Sequence, residues 1–441
     1  MVFDNIIIGA GPGGYHLAAD LAAKGESVAI VERDRLGGTC LNRGCIPTKC
    51  LAATASANLT VLAAPKLGIE PFDVCINFPA AVERMRSVMD GLRDGVSSVL
   101  AKCQVINGDA GLTRLDSGSV AVKVGDDTYE AAKRIIIATG SRPAVLPIPG
   151  AELAMTSDEA LSLEILPASM VIVGGGVIGM EFASIFSALG VKVTVIEFCK
   201  EILPPFDSEV AKRLRTTLSR RGIDIITGAA VKSLVPNGDL IAVTYEGKRG
   251  EAVVEAEKVI MAVGRRPVLP DGLEEAGIKL TPKGFIEVDD MMRTSVPGIY
   301  AVGDVNGLSM LAHSAYAHGR VVAEEDPGLF NRDCVPSIVF TEPEVAMVGP
   351  TAAELQARGE DVTIIKRPFA SNGKAQAMGH ADGVLKMVAR AGDGVLLSAT
   401  IMGPHAADLI AEATLHVSYG TPVSKIPRTI HAHPTLSEIF C

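Results

Sequence analysis

The stretch Asn5-Ile6-Ile7-Ile8-Gly9-Ala10-Gly11-Pro12-Gly13-Gly14 decides how this chain folds. An apolar run stopping at Ile8 reads as a buried strand, and Gly9, Gly11 and Gly14 then fall at the G-x-G-x-x-G spacing. The first glycine makes the turn, the second lets the backbone approach a pyrophosphate, and the third lets a helix pack on the strand. A helical pattern follows from Tyr15 to about Lys24 and stops at Gly25. Ser27 to Val31 reads as a second strand, with Glu32 at its end, where an acid can accept hydrogen bonds from a ribose. The unit recurs: a strand over Met170 to Val173, the turn glycines Gly174, Gly176 and Gly179, a helix to about Leu189, and a strand over Val191 to Ile196 ending in Glu197. In both copies the acid stands eighteen positions after the third glycine (14 to 32, 179 to 197). A lone G-x-G-x-x-G is weak; one set between two strands with its acid in place, and repeated, specifies two dinucleotide sites.

Two such sites in one chain point to a flavin alongside a nicotinamide. A carboxylate at Glu197 favours a free 2′-hydroxyl, and Phe198 and Cys199 follow it with no Arg to hold a 2′-phosphate, so NAD is expected over NADP. Asp304, just after the apolar strand Ile299 to Val302, is placed for a flavin-chain hydroxyl. Two further strands, Arg134 to Ala138 and Lys258 to Val263, each leave their sheet through Gly followed by Arg-Pro, and these exits set domain boundaries. Beyond them Val335 to Phe340, Val362 to Arg367, Gly383 to Ala389 and Val395 to Met402 read as strands and Ala406 to Tyr419 as a helix, a separate α+β unit. Between the two fingerprints, Val61 to Gly68 reads as a loop, and Phe78 to Lys102 as helix interrupted at Gly91 and Gly95. The expected fold class is therefore α/β, with two Rossmann-like dinucleotide-binding domains plus a C-terminal α+β domain. The expected division is 1–142, 143–264, a segment 265–332 that completes the first domain, and 333–441.

Composition excludes other classes. A formal net charge of −10 argues against binding a phosphate backbone, so no nucleic-acid partner is expected. No apolar run approaches the roughly 18 residues of a membrane span, and no basic-plus-apolar leader precedes the first strand. The expectation is a cytoplasmic protein without membrane insertion.

Cys40-Leu41-Asn42-Arg43-Gly44-Cys45, followed by Lys49, carries the chemistry. The eight cysteines are otherwise scattered apart from Cys50, which is not the pattern of a disulfide scaffold. A close pair in a reducing compartment is catalytic or metal-binding more often than structural, and no second Cys/His pair stands at metal-ligand spacing. With its glycines and Lys49, the pair reads as redox-active, core cysteines or half a zinc site being the alternatives. On a regular helix, five steps of about 100° leave two residues well apart around the axis, whereas a disulfide needs α-carbons within roughly 7 Å. The backbone between the cysteines must be distorted, and Gly44 is the place for it. Arg43, a charge between the two, has no reading in the sequence. His433, with Pro434 breaking any helix before Glu438, forms a plausible His–carboxylate pair; a core histidine is the alternative.

Together, Cys40 to Lys49, the two fingerprints, the Ala301-Val302-Gly303-Asp304 strand end and the closing His431-Ala432-His433-Pro434-Thr435-Leu436-Ser437-Glu438 run resemble, in order over nearly the whole chain, the flavin-dependent pyridine nucleotide–disulfide oxidoreductases. The resemblance implies a Cys40–Cys45 redox disulfide, with Cys40 meeting the substrate and Cys45 facing the flavin. It places Lys49 near the flavin with Glu181 as its partner, and His433 as acid/base oriented by Glu438. It implies FAD at Gly9, Gly11, Gly14, Glu32, Ala110, Asp304 and Ala312, and NAD at Gly174, Gly176, Gly179, Glu197, Val231 and Gly264. The four segments become an FAD-binding domain, an NAD-binding domain, a central region and a dimerisation domain, and the protein an obligate homodimer whose base comes from the other subunit. The terminal His run is similar to that of members that oxidise dihydrolipoamide to lipoamide and reduce NAD, serving a lipoyl-bearing protein of a 2-oxoacid dehydrogenase or glycine-cleavage system. Members that reduce mercuric ion or another disulfide are the alternative; the mercuric ones end in a cysteine pair, where this chain has Cys441 alone. Arg43, Ser314 and Phe340 depart from the family's usual pattern.

Overall fold

The computed structural model describes residues 1–70 and 75–441, and these form two compact units. The first comprises Met1–Thr48, Glu83–Pro143 and Arg265–Arg332. Its sheet begins with β1 (Val2–Ile8), which leads into α1 (Pro12–Ala23) and returns as β2 (Val28–Glu32). The short α2 (Gly38–Arg43), the long α3 (Cys45–Ala63) and α4 (Phe78–Val99) follow, then β3 (Gln104–Asn107), β4 (Ala110–Arg114), β5 (Val120–Val124) and β6 (Asp127–Ile137). The strand order is β3-β2-β1-β6-β5-β4, with Ile299–Ala301 also pairing with β6. β6 serves two sheets: its last residues run parallel to β1 and to Ile299–Ala301, while its first residues pair antiparallel with β5. Alternation along β1 and β2 feeds both faces. Ile7 and Ile30 join a core with Leu17 and Leu21 of α1 and Val321 and Val322 of the helix Ala312–Glu324. Ile6, Ile8, Ala29 and Val31 join the opposite core with Ile135, Ile137 and Ile299. A strand covered on both faces is apolar at every position, which is why Ile6 to Ile8 carries no alternation in the sequence.

The second unit comprises Lys49–Val82, Ala144–Gly264 and Asp333–Cys441. It repeats the parallel arrangement, in the order Asp224–Thr227, Lys192–Glu197, Ser169–Val173, Lys258–Met261, Met155–Thr156. A three-stranded antiparallel sheet, Ala230–Asn237, Leu240–Gly247 and Gly250–Ala256, packs on it through Val231, Leu234 and Val243. The last hundred residues form a five-stranded antiparallel sheet in the order Ser337–Val339, Glu344–Val348, Leu396–Gly403, Val384–Arg390, Val362–Pro368. The helix Ala406–Ser418 lies against it through Ala406, Ile410 and Ala413. A buried ion pair ties this sheet to the nucleotide-type fold of the same unit: Lys386 Nζ stands 2.7 Å from Asp207 Oδ2. The other oxygen of Asp207 caps the helix Ser208–Arg220 by accepting from Glu209 N and Val210 N. The α/β architecture with two Rossmann-like sheets and a C-terminal α+β part is thus the fold of the chain.

Two local expectations are corrected, and one strand is added. The segment from Val61 continues α3 to Ala63 and then forms a 3₁₀ turn over Ala64–Leu67 rather than a loop. α4 runs unbroken through Gly91 and Gly95, because its buried stripe (Phe78, Val82, Met85 and Val96) holds it while both glycines face open space. The strand Glu344–Val348 went unread; it sits behind Pro343, in a stretch that looks like a turn.

His318 is wholly buried, its ring edge-on to Phe330 and its Nδ1 accepting a hydrogen bond from Gly303 N at 3.1 Å. Burial lowers its pKa to about 4. Between about pH 6.5 and 4 the unfolded chain then binds the extra proton, so stability falls as pH falls through that window. His318→Gln is expected to shrink the loss of stability between pH 7 and pH 5 by about 2 kcal/mol, measured by urea unfolding at both pH values. An unchanged pH dependence would refute this role.

Candidate functional site

The two fingerprint turns are built alike. α1 starts at Gly11 (φ −74°, ψ −177°) and the helix Val177–Ala188 at Gly176 (φ −73°, ψ −173°), neither with a side-chain cap nor an acid in its first turn. Each leaves the N–H groups of a helix start directed outward, at the positive end of the helix dipole. A side chain at the third glycine, Gly14 or Gly179, would place its Cβ 1.9 Å from the carbonyl oxygen of Gly9 or Gly174, so helix and strand could not close. The middle glycines face room instead: a Cβ at Gly176 would meet nothing within 4 Å, and one at Gly11 only the Gly38 Cα at 3.9 Å. Open room at an uncapped helix start fits the diphosphate of a dinucleotide in both places.

The acids do more than the sequence suggests. Glu32 accepts from Ala10 N (2.8 Å) and Asp34 N (2.9 Å), and Glu197 accepts from Gly175 N and Cys199 N, the same two positions in each copy. Each carboxylate therefore braces its own turn while keeping lone pairs for ribose hydroxyls. Burial pushes the Glu32 carboxyl up, against the pull of backbone N–H groups and of Arg33 and Arg43. Arg43 closes an ion pair with Asp34, which accounts for the charge the sequence left unread: it belongs to the loop behind Glu32. Asp304 accepts from the Ser141 hydroxyl (2.5 Å), which itself accepts from Arg265 Nε (2.7 Å). Burial raises the Asp304 carboxyl, and Ser141 and Arg265 offset it. Sequence reasoning missed Ser141 and Arg265, although both lie in the strand exits it used as boundaries.

α2 ends at Gly44, whose φ of −145° and ψ of −110° are not helical, and α3 begins at Cys45. Cys40 lies half-buried on the first helix; Cys45, exposed, heads the second. A Cβ at Gly44 would lie 3.0 Å from the carbonyl oxygen of Thr39. Lys49 follows one turn along α3. Its Nζ donates to Glu181 (3.0 and 3.3 Å) and lies 4.0 Å from the centroid of the Phe340 ring, while Phe340 N donates to Glu181 Oε1 (3.0 Å). The phenyl ring of Phe340 gives the ammonium an aromatic face.

His433 and Glu438 are brought together, Nδ1 to Oε1 at 2.9 Å, and Thr435 N braces the second carboxylate oxygen at 2.9 Å. The Thr435 N–H and then His433 hold the Glu438 carboxyl below its usual value. With Nδ1 committed to the carboxylate, Nε2 is the basic edge of an exposed ring. His431 is a latch by contrast, its Nε2 on Glu412 (2.7 Å) and its Nδ1 beside Cys441 Sγ (3.0 Å). Ala110 opens β4, Ala312 is the first residue of its helix, Val231 lies buried in the antiparallel sheet, and Gly264, at φ +113°, precedes the strand Arg265–Pro267.

The model of the pyridine nucleotide–disulphide oxidoreductase family matches residues 3–319, and that of the family's dimerisation domain matches residues 335–441. The chain belongs to the pyridine nucleotide–disulphide oxidoreductase family. It is 40% identical to a dihydrolipoyl dehydrogenase of Geobacillus stearothermophilus over 99% of this chain and 94% of the relative. It is 38% identical to one of Bacillus subtilis (strain 168) over the same shares. Among solved structures, the Cu(II) complex of the HOCl-induced flavoprotein disulfide reductase RclA from Escherichia coli superposes with a TM-score of 0.87 at 30% identity, covering 100% of this chain and 98% of that one. The chain is an FAD- and NAD-dependent oxidoreductase and, through its dimerisation domain, a homodimer.

Glu181 accepts from both Lys49 and Phe340 N in a buried setting. Glu181→Ala should lower stability by about 2 kcal/mol, whereas Phe340→Leu, which removes only the ring face, should lower it by about 1 kcal/mol or less, read from thermal unfolding midpoints. Equal losses would show that the carboxylate is not the anchor.

Proposed function

We propose that this protein oxidises dihydrolipoamide to lipoamide and reduces NAD, through a Cys40–Cys45 disulfide. The observation that carries the chemistry is the helix break at Gly44, which seats the two cysteines on different helices and so gives each sulfur its own surroundings. Full-length likeness to proteins named dihydrolipoyl dehydrogenase supports the substrate.

In this reading His433, supplied by the other subunit, takes the proton of a substrate thiol on Nε2, while Glu438 holds Nδ1–H and stabilises the imidazolium. The substrate thiolate attacks Cys40 Sγ, the bond to Cys45 breaks, and its electron pair stays on the Cys45 sulfur. The second substrate thiol displaces Cys40, closing the lipoamide ring, and its proton passes to Cys40. The positive charge of Lys49, one turn along α3, favours the thiolate at Cys45. FAD, when bound, would supply the two-electron redox chemistry that links the dithiol to NAD. Gly9, Gly11, Gly14, Glu32, Ala110, Asp304 and Ala312 are assigned to FAD, with Lys49 near it and Glu181 as the partner of Lys49; Gly174, Gly176, Gly179, Glu197, Val231 and Gly264 are assigned to NAD. The domains are assigned as 1–142 for FAD, 143–264 for NAD, 265–332 completing the first, and 333–441 for dimerisation. The partner is a lipoyl-bearing protein. Among the described residues no helix is long and apolar enough to cross a membrane, and a cytoplasmic setting goes with such a partner.

Cys45→Ser and His433→Ala should each reduce dihydrolipoamide turnover by at least about a thousandfold with FAD content unchanged. The unmutated enzyme, assayed side by side, should prefer dihydrolipoamide with NAD over glutathione disulfide or mercuric ion with NADPH by at least about a hundredfold. Normal turnover in either variant, or a preference for another acceptor, would overturn the reading.

A further inference from the structure

A thiol, an imidazole and a carboxylate stand in a row that the scheme above does not use. Cys441 Sγ lies 3.0 Å from His431 Nδ1, and His431 Nε2 lies 2.7 Å from Glu412 Oε1. Glu412 sits on the helix Ala406–Ser418. Phe440, wholly buried in the core that also holds Ile410 and Ala413 of that helix, anchors the residue before Cys441. Cys441 N donates to the Glu438 carbonyl oxygen at 3.1 Å, so backbone and side chain of this residue are both held. The His431 side chain is 5% exposed, whereas Cys441 is exposed. The thiol is thus the outer end of the row and the imidazole its inner part.

The partners fix the tautomer. An ionised carboxylate only accepts, so Nε2 carries the ring proton, and Nδ1 of the neutral ring is left bare to accept from the Cys441 thiol. The Thr429 carbonyl oxygen, 3.1 Å from Nδ1, finds no proton there in that state. Once the thiol proton has moved to Nδ1, this carbonyl and the Glu412 carboxylate are both in place as acceptors for the imidazolium. His416, four residues after Glu412 on the same helix, has its buried Nε2 3.7 Å from the same carboxylate oxygen, beyond hydrogen-bond distance. Glu412 therefore serves His431. Among the described residues no three His, Cys, Asp or Glu side chains are grouped to hold a metal ion, and the row reads as a nucleophile with its base and the group that orients the base.

A base beside a thiol serves any electrophile, but a ring that keeps the proton at hand serves one class in particular. When sulfur attacks a hydroperoxide, the departing oxygen needs a proton; a departing halide needs none. We infer that Cys441 is a site of oxidation by small hydroperoxides, with His431 taking the thiol proton and returning it to the departing oxygen, and Glu412 holding the ring. The sulfur bonds to the near peroxide oxygen, the O–O bond breaks, and its electron pair leaves on the far oxygen, which takes the proton from Nδ1. With hydrogen peroxide, one thiol gives one sulfenic acid and one water; the sulfur loses two electrons and the peroxide gains them. The site is separate from the Cys40–Cys45 pair and does not rest on the function proposed for that pair.

The test treats the reduced holoenzyme with hydrogen peroxide in the presence of dimedone, which traps sulfenic acid, and a parallel sample with iodoacetamide. Adducts are quantified peptide by peptide by mass spectrometry, with Cys75, another exposed thiol of the chain, as internal reference. Cys441 should be oxidised at least about tenfold faster than Cys75. His431→Gln should lower the ratio of the oxidation rate of Cys441 to its alkylation rate at least about tenfold, and Glu412→Gln should lower it in the same direction by less. The base step is common to both reactions and the return of the proton is not, so a mere change in exposure would leave the ratio unmoved. An unchanged FAD absorbance and melting temperature establish that the variants fold. Oxidation of Cys441 no faster than that of Cys75, or a ratio that His431→Gln leaves unchanged, overturns the inference and leaves the function proposed above standing.

Discussion

The chemistry of this protein hangs on one short interruption of helix. Had α2 and α3 been continuous through Gly44, Cys40 and Cys45 would project from a single rod in directions too divergent to bond. Breaking the rod between them lets the sulfurs approach while their backbones belong to different elements. A side chain at Gly44 would press on the Thr39 carbonyl, so the residue that makes the break is also the one small enough to permit it. The break in turn depends on where α2 begins, and that is set by Gly38 lying against Gly11 at the head of α1. The dinucleotide turn and the cysteine pair are thus one piece of construction.

Buried carboxylates do comparable structural work in the second unit. Glu181 gathers Lys49 and the backbone of Phe340, and Asp207 gathers Lys386 and the start of a helix. In each case one oxygen takes a charged donor and the carboxylate also accepts a backbone N–H. Ion pairs so enclosed add little net stability over a well-packed apolar substitute, but they are demanding about geometry, since removing one partner strands a charge. They fix elements in register rather than simply holding them together.

Much of this was legible in the residues. Glycine spacing with an acid at its end carries a mechanism, and both copies could be read to within about three residues, the helices starting at Pro12 and Val177 rather than at Tyr15 and Met180. The distortion at Gly44 followed from the reach of a disulfide alone. What escaped reading has physical causes. Gly91 and Gly95 look like interruptions because propensity weighs against glycine in a helix, but tertiary burial of the stripe from Phe78 to Val96 outweighs about 1 kcal/mol each. Arg43 could not be placed because its partner, Asp34, is a neighbour only once α2 has folded back on the loop after β2. Ser141 and Arg265 come from strand exits far apart in sequence and meet only through the pairing of Ser141–Pro143 with Arg265–Pro267. The rings of Tyr15, His16 and Tyr316 meet between α1 and the helix Ala312–Glu324, whose packing no local pattern reveals.

The double duty of Glu197 bears on how such a protein can change its diet of electrons. Under the assignment of Glu197 to the NAD ribose proposed above, a lineage or a laboratory seeking a phosphorylated nicotinamide would wish to remove this carboxylate, since it would repel the added phosphate. Yet the same carboxylate receives the amides of Gly175 and Cys199, so deleting it loosens the loop that the new coenzyme needs. Glu197 serves the two amides with its two separate oxygens, and Gln offers only one, so a compensating acceptor such as a nearby hydroxyl has to come before or with the new cation. Coenzyme choice in this fold is therefore a path with an ordered sequence of steps, and its first step is architectural.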